Sequence, residues 1–356
     1  MSVTTFSTAA VKPLATHETL ADQFPAVASV SPCLVSSKGT QSSRLPVLDG
    51  IRGTAILLVI TGHCLWSTRL HAVGLPIGYA GVSIFFVLSG YLITRVLIAD
   101  EESAGRVRLL RFYRRRAMRI FPALYCFLAL LAVLTYFRLF PSIPSATWLA
   151  SVFYASNLVP NGWETGHLWS LALEEQFYLF WPALFAMTPR RLRMKMVLAL
   201  VVVFTMWRIH VVPSLHGGLY IRPDLRMDTF LIGGAFAIAD RSFICGRSAP
   251  FFAGALAVWS IVGPGVFPAI DTCVSAAIIG AMVTWLAKSP ADGAAARLSK
   301  PGPVAVGTIS YSLYLWQQLF LGPHLRWWSL PAVVFVACVS YFAIERPMVR
   351  LRSALT

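Results

Sequence analysis

The sequence predicts an all-α integral membrane protein, a polytopic transmembrane bundle of about ten helices with both termini in the cytoplasm. Of its 356 residues, 57% are hydrophobic and 13% are charged, whereas an average soluble domain has about 25% charged residues. Apolar runs of about 17–20 residues recur from Ile51 onward, which is the length of a helix that crosses the hydrocarbon core. Only helices and closed barrels satisfy their backbone hydrogen bonds in lipid. Since the period-2 alternation of a barrel is absent, the runs are predicted to be helices.

In chain order, the spans are predicted at residues 50–66, 78–98, 117–137, 168–187, 196–213, 226–240, 250–266, 269–287, 303–321 and 328–345. The distribution of basic residues indicates their orientation. The N-terminal segment and residues 99–119, 188–195, 240–249, 288–302 and 346–356 hold 22 of the 30 Lys and Arg. Basic residues collect in cytoplasmic loops, so this asymmetry predicts an N-in, C-in topology. It also explains the net charge of +15 without a nucleic-acid partner, which we do not expect.

Two segments fall outside the pattern of spans. Residues 1–43 are rich in Ser, Thr, Ala and Val and lack an apolar stretch after a basic start, so they are predicted to form a flexible cytoplasmic tail before a membrane domain at 44–356. The apolar stretch Thr147–Val159 is short for a span, and a crossing there would turn the basic residues of 190–195 outward. We therefore predict a re-entrant or interfacial segment on the outer side.

The first span, LPVLDGIRGTAILLVITGHCLW, carries an arginine and a histidine on one face. Arg52 and His63 are eleven residues apart, about three helical turns and about 16 Å along the axis. Asp49 lies one turn before Arg52 and is placed to pair with it. Ionisable groups within a span usually face a protein interior or a water-filled path. Snorkelling of Arg52 and an interfacial position for His63 are the alternatives, and the shared face favours a functional pair.

A second basic cluster lies in RFYRRRAMRIFPALY, where the third span begins. Arg116 and Arg119 stack at i, i+3, and Arg115 is beside them. Guanidinium groups in this position could hold the phosphates of a nucleotide-bearing donor in bidentate fashion. The alternative is simple anchoring at the cytoplasmic interface.

An acidic pair lies in GHLWSLALEEQFYLFWP. Glu174 and Glu175 point about 100° apart on a helix, so at most one of them readily faces a site shared with His63. A carboxylate beside a histidine can set its tautomer, as in acid–base catalysis. The alternative is a structural ion pair with an arginine of another helix.

The remaining polar residues have plainer interpretations. Helix-end pairing is the plain interpretation of Arg226 and Asp228 in RPDLRMDTFLIGGAFA and of Glu345 beside Arg346, and it is the favoured one for Glu345. The small residues in GVSIFFVLSGYLI, which are Ser83, Ser89 and Gly90, are expected to permit close helix packing. The six cysteines are scattered, and they predict neither a disulfide framework nor a metal site. No GxSxG, Walker A or HExxH motif is present.

Taken together, these motifs resemble the membrane acyltransferase-3 family, which includes the O-acetylases of bacterial surface polysaccharides. The resemblance covers about Leu45 to Arg352. It consists of seven phrases in the family's order: LDGIRGTAILLVITGH, GVSIFFVLSGYLI, RRRAMRIFPALY, HLWSLALEEQFYLFWP, RMDTFLIGGAFA, ISYSLYLWQQ and ERPMVRL. One such phrase alone would be weak, whereas seven in order are specific.

The resemblance implies an acyl-CoA co-substrate, expected to be acetyl-CoA, reached from the cytoplasm, and no permanently bound cofactor. It assigns catalysis to Arg52 and His63. It assigns donor binding to the Arg-rich start of the third span, which is Arg115, Arg116 and Arg119. The residues expected to support or surround the substrates are Asp49, Trp169, Ser170, Glu174, Glu175, Gln176, Arg226 and Asp228.

Two positions depart from the family's pattern. Ser83 stands where relatives often have an acidic residue, and Gln317 follows YLW where many have histidine. Neither is expected to touch the Arg–His pair. Some relatives carry an additional extracytoplasmic hydrolase-like domain, whereas this chain ends eleven residues after Glu345, so we expect it to act on its acceptor directly.

The predicted function is that of a multi-pass O-acyltransferase of the bacterial cytoplasmic (inner) membrane. His63 would act as general base and Glu174 would orient its imidazole, and an acyl-histidine intermediate is left open. The acceptor is expected to be a surface polysaccharide, a lipid-linked glycan or another hydroxylated molecule. Membrane lipids and proteins of polysaccharide assembly are the other expected partners. A transporter or flippase that uses the buried charges as a path, and a structural subunit of a polysaccharide export complex, are the alternatives.

Overall fold

A computed structural model describes residues 45–66, 68, 70–214, 221–239, 249–266, 269–290, 292–321, 326 and 328–354. The predicted N-terminal tail, residues 1–43, lies outside these residues. Every regular element in the described part of the chain is helical, as the sequence predicts.

The first half of the chain folds into long helices separated by short ones. These helices are α1 (Pro46–Trp66), α2 (His71–Ala104), α3 (Leu109–Tyr136), α4 (Ser145–Val152), α5 (Trp163–Gly166), α6 (Leu168–Met187) and α7 (Arg190–Val211). The second half is more segmented. Its helices are α8 (Met227–Ala239), α9 (Ala249–Val266), α10 (Asp271–Lys288), α11 (Gly293–Leu298), α12 (Pro301–Thr308), α13 (Ser310–Trp316), α14 (Ser329–Ser340) and α15 (Arg346–Ala354).

Six helical segments of the described residues are long and apolar enough to cross a membrane. They are Pro46–Trp66, Ala72–Ala104, Leu109–Tyr136, Arg190–Val211, Asp271–Lys288 and Ser329–Leu351. The helical class is thereby confirmed, and the six segments support the predicted membrane protein by their length and composition. The count of ten spans and the N-in, C-in orientation stay predictions.

The stretch predicted to be re-entrant does not form a long helix. Its helix α4 has eight residues, about 12 Å at the helical rise, and is followed by a single 3-10 turn at Ser156–Leu158. A helix of this length is too short for a hydrocarbon core of about 30 Å. Gln176 of α6 holds this stretch in place. Its side-chain amide donates to the carbonyl oxygen of Tyr154 at 2.9 Å and exchanges hydrogen bonds with the side chain of Asn157.

Two of the predicted spans are interrupted. The ninth begins with Pro301 at the first position of α12, where a missing backbone N–H costs nothing, and turns at Ile309 before α13 and the 3-10 turn Gln317–Leu319. The tenth contains a π-helical turn at Tyr341–Glu345 between α14 and α15. Such irregular turns often accompany functional sites, because they redirect side chains that a straight helix would point elsewhere.

Helices α1 and α2 form the centre of the bundle, and glycines let their neighbours approach them closely. A Cβ atom on Gly90 of α2 would collide with the carbonyl oxygen of Phe230 in α8, and one on Gly233 of α8 would collide with the carbonyl oxygen of Val87. Gly307 of α12 meets the backbone of α1 in the same way. These contacts explain the position of Gly90 as a packing residue.

The 34-residue helix α2 is about 51 Å long, so it extends beyond the hydrocarbon core at one end. That end carries two acidic residues that bind arginines at the start of α3 and in the first turn of α7. Asp100 pairs with Arg108, and Glu101 binds Arg193 through both carboxylate oxygens at 2.6 and 3.0 Å. Basic residues of the predicted cytoplasmic segments 99–119 and 188–195 therefore also hold the ends of the helices together.

Candidate functional site

A cavity of about 190 Å³ lies at the C-terminal end of α1. Its wall is largely aromatic and histidine-containing, and it includes His63, Tyr79, Trp163, His167, Trp169 and Tyr314. We call it the histidine cavity. Helix α5 supplies Trp163, whose ring stands edge-on to the imidazole of His63 with 5.6 Å between centroids.

The imidazole of His63 is oriented by Gln317, the first residue of the 3-10 turn after α13. Its Nδ1 is 3.1 Å from Oε1 of Gln317, and the Gln317 side chain has no exposed surface. Since an amide oxygen only accepts, Nδ1 carries the proton and donates it. In this tautomer Nε2 is the basic nitrogen of the neutral imidazole, which is the state that a general base requires.

This geometry corrects two expectations from the sequence. Glu174 was predicted to orient His63, but its described contacts are elsewhere, and Gln317 takes that place. Gln317 was expected not to touch the Arg–His pair, and this was wrong. The break in the ninth span explains both, because the 3-10 turn directs Gln317 into the bundle in a way that helical spacing does not predict.

A second histidine in the cavity wall was not singled out from the sequence. His167, the residue before α6, is buried, and its ring nitrogens are 2.6 Å from Oε1 of Gln318 and 2.9 Å from the carbonyl oxygen of Leu315. Tyr314 donates to the carbonyl oxygen of His167 at 3.0 Å and also bonds to Ser170. These contacts tie the start of α6 to α13 beside His63. The GHLW phrase was a usable signal, since it places a histidine two residues before the Trp169–Ser170 pair.

A smaller cavity of about 80 Å³ lies on the other side of Tyr314, towards the N-terminal end of α1. Its charged lining residues are Arg52, Arg116, Arg119 and Glu174. We call it the arginine cavity. Arg115 is not among its lining residues, which is expected of a residue 100° around the helix from Arg116. Arg115 is thus separated from the two arginines with which it was grouped.

Arg116 is held in place from several sides. Its guanidinium lies 3.6 Å from the ring centroid of Tyr178, 3.2 Å from a carboxylate oxygen of Glu174 and 3.9 Å from Glu175. Glu174 in turn accepts from Ser89 at 2.6 Å and from Tyr178. The structural ion pair that was the alternative for Glu174 is therefore what the structure contains. Ser89, predicted to serve helix packing, instead donates a hydrogen bond to this pair.

Arg119 differs from Arg116 in that no hydrogen bond or ion pair to its guanidinium occurs within the described part of the chain. It interacts electrostatically with the guanidinium groups of Arg52 and Arg116 and with Glu345 of the π-helical turn. The Glu345 carboxylate is buried and accepts from Ser312, so the predicted helix-end pair with Arg346 is not its main contact. Arg52 pairs with Asp49 at 3.3 Å, as predicted. The arginine cavity thus has an excess of positive charge and donors that suit an anion.

The two cavities meet at Val82 and Tyr314, which line both of them. Trp169 lies at this level, with its ring edge-on to Phe86 at 6.0 Å between centroids. Arg52 and His63 therefore mark the two ends of one path through the bundle. Their shared helix face predicts this arrangement, whereas the residues between them come from α2, α6 and α13.

Helix-end pairing was the plain interpretation of Arg226 and Asp228, and the structure gives each of them a partner on another helix. Arg226 donates to Ser83 at 3.1 Å. Asp228 is fully buried and binds Arg208 of α7 at 2.5 and 3.2 Å. Ser83, expected to permit packing, is thus a polar partner of Arg226. Among the described residues, no group of three or more His, Cys, Asp or Glu could hold a metal ion.

Comparisons with known proteins indicate the family to which the chain is similar. Residues 45–345 match the profile of the acyltransferase-3 family, described as an acyltransferase domain. The chain is 29% identical over 359 aligned residues to the O-acetyltransferase OatA of Staphylococcus aureus strain NCTC 8325, covering 85% of this chain and 57% of that protein. It is also 29% identical over 314 residues to a putative O-acetyltransferase of S. aureus strain COL, covering 76% of this chain and 50% of the relative. The chain thus spans about half the length of these curated relatives. No solved structure matches it.

Proposed function

The chain belongs to the membrane acyltransferase-3 family, and we propose that it is an O-acyltransferase that moves an acetyl group from acetyl-CoA to a hydroxyl of a surface glycan or related acceptor. The observation that carries this proposal is the pair of cavities that meet at Val82 and Tyr314. One cavity offers guanidinium groups to an anionic donor, and the other offers an oriented imidazole to the reacting group.

The arginine cavity is the proposed donor site. Arg119 lines it with no hydrogen bond or ion pair to its guanidinium in the described residues, and Arg52 and Arg116 add positive charge on the same side. Planar guanidinium groups bind phosphate oxygens through paired N–H donors. By the distribution of basic residues, this end of the bundle faces the cytoplasm, where acyl-CoA is present. The same reasoning supports a bacterial inner-membrane location.

The pantetheine arm of the donor then extends from the arginine cavity past Val82 and Tyr314 to the histidine cavity. Arg52 and His63 are separated by about 16 Å along α1, so the phosphates and the thioester occupy different cavities. Trp169, Phe86 and Tyr314 line the passage with aromatic surface. Such a passage excludes water from the thioester and so limits its hydrolysis.

His63 acts as the general base. Its Nε2 takes the proton of the acceptor hydroxyl as the hydroxyl oxygen attacks the thioester carbonyl carbon. The tetrahedral intermediate collapses with cleavage of the C–S bond, and the proton passes from His63 to the departing thiolate. The products are an O-acetyl ester and free CoA. Gln317 selects the tautomer of the neutral imidazole and continues to accept from Nδ1–H when the ring is protonated.

The test is acetyl transfer from radiolabelled acetyl-CoA in membranes that contain the wild type or a variant at matched expression. We expect His63→Ala to lower kcat by about 10²- to 10⁴-fold, the usual contribution of a general base. Arg52→Ala is expected to raise the KM for acetyl-CoA. His210→Ala, on the exposed end of α7, and Arg95→Ala, on the exposed side of α2, are the matched controls.

Wild-type turnover in both His63→Ala and Arg52→Ala would contradict the proposal. Movement of a glycan across the membrane without any dependence on acetyl-CoA would favour the transporter alternative. The family match and the names of the relatives favour acyl transfer over that alternative.

A further inference from the structure

A third cavity, of about 260 Å³, lies beside the histidine cavity. It shares Leu75 and Tyr79 with that cavity and shares no lining residue with the arginine cavity. Its walls come from the first part of α2, the residue before α8, Leu256 of α9 and the first part of α10. Through Leu75 and Tyr79 it adjoins the cavity that contains His63. We call it the side cavity.

The side cavity has two buried charged residues in its wall. Arg226 is 2% exposed and donates to Ser83 at 3.1 Å, and Ser83 also lines the cavity. Asp271 is 8% exposed and accepts from Trp259 at 2.8 Å and from Ser275 at 3.4 Å. Burial of a guanidinium and a carboxylate costs several kcal/mol each before compensation. The proposed acyl transfer by His63 does not use either of them, so their presence in a cavity wall calls for a different role.

The chemistry of the lining residues indicates which ligand would fit. A guanidinium donates, a carboxylate accepts, and the hydroxyl groups of Ser83 and Ser275 do both. This combination complements a ring of hydroxyl groups. The two charges are opposite, so the cavity suits a neutral ligand, in contrast to the arginine cavity with its excess of guanidinium groups. The ring of Tyr79 at the boundary provides an apolar face for a sugar ring.

We propose that the side cavity binds a neutral sugar ring of the acceptor and presents one of its hydroxyl groups to His63 past Tyr79. This inference rests on the proposed acyl transfer, and it adds a binding site for the acceptor and the side from which the acceptor enters. The acceptor reaches His63 from the end of the bundle opposite the arginine cavity. Donor and acceptor then approach the imidazole from opposite sides and do not compete for one path.

The experiment fills the side cavity and leaves the other two unchanged. Ala80 and Ser275 line the side cavity alone, so Ala80→Phe and Ser275→Leu reduce its volume from two different helices. Val96→Phe is the matched control, since Val96 lies on the same helix as Ala80 and is 41% exposed. Transfer of radiolabel from acetyl-CoA to the non-protein fraction of membranes from the source cells is measured, together with binding of acetyl-CoA to each purified variant.

We expect labelling of the acceptor to fall by about 10- to 200-fold in both filled variants. This is the range by which one extra or missing methylene group changes the rate in a fitted pocket. Their binding of acetyl-CoA should equal that of the wild type and of Val96→Phe. Labelling within about twofold of wild type in both variants would overturn the inference. A parallel loss of acetyl-CoA binding in both would also overturn it, because the side cavity would then not be separate from the donor site. Absence of label with the wild type itself would reject the proposed acyl transfer, and the acceptor site with it.

Discussion

Replacement of Gln317 by leucine removes the hydrogen-bond acceptor of His63 and keeps a side chain of similar size. The Nδ1–H group of His63 then loses a partner 3.1 Å away at a position that has no exposed surface on the glutamine side. Loss of a buried partner costs about 1–3 kcal/mol. If that energy is what holds the imidazole in its productive tautomer and rotamer, kcat falls by about 5- to 150-fold.

The assay is steady-state acetyl transfer by the purified protein in nanodiscs with acetyl-CoA as the varied substrate. Gln317 does not line the arginine cavity, so the KM for acetyl-CoA should stay at its wild-type value. Gln317→Glu keeps an acceptor oxygen at the same reach and should recover most of the lost kcat. A variant that merely damaged the fold would lower both parameters and would not respond to this conservative change.

A double-mutant cycle makes the prediction stricter. In a His63→Ala background, Gln317→Leu should cause no further loss, because its effect is transmitted through the imidazole. Wild-type kcat in Gln317→Leu would refute the positioning role. Additive losses of Gln317→Leu and His63→Ala would refute it equally, since they would show that the two residues act independently.

Two further predictions concern the donor site and the packing of the bundle. Arg119→Ala removes the proposed charge-assisted phosphate contact, which is worth about 1.5–3 kcal/mol. The KM for acetyl-CoA should therefore rise by about 10- to 150-fold with little change in kcat. Arg95→Ala is the control, and an unchanged KM in Arg119→Ala would exclude Arg119 from donor binding. Gly90→Ala puts a Cβ against the carbonyl oxygen of Phe230, whereas a Cβ on Gly254 of α9 meets nothing within 4 Å. The thermal midpoint in detergent should therefore fall for Gly90→Ala, by an equivalent of about 1–3 kcal/mol, and stay constant for Gly254→Ala; equal midpoints would show that α2 and α8 can move apart at no cost.

Hydropathy and charge alone predict much of the fold, for a physical reason. A lipid-exposed backbone must satisfy its own hydrogen bonds, so apolar runs of the right length become helices. The bounds of α6 at Leu168–Met187 coincide with the predicted span. The prediction fails where a span is not a single regular helix. The π-helical turn at Tyr341–Glu345 and the turn at Ile309 depend on packing against α3 and α1, and local hydropathy has no information about that packing.

The candidate site divides in the same way. Helical periodicity places Arg52 and His63 on one face of α1, and it pairs Asp49 with Arg52. It also groups Arg116 with Arg119, although Arg115 was predicted to join them and does not line the same cavity. Residues on a single helix are related by a fixed rotation per residue, so these relations can be read from spacing. Glu174 was assigned to His63 because its depth in the span was known, but its rotation about the α6 axis was not.

The sequence by itself determined the chemistry that is present: a buried arginine and histidine on the first span, an arginine cluster at the start of the third, and the family's order of motifs. Only the tertiary structure decided which groups meet. In the structure Gln317 contacts His63, Glu174 contacts Arg116, and Ser83 contacts Arg226. The interior is divided into cavities that adjoin at Val82, Tyr314 and Tyr79. These contacts join residues that lie 58 to 254 positions apart. Their formation depends on how the helices rotate and pack against one another, because helical periodicity relates only residues on the same helix.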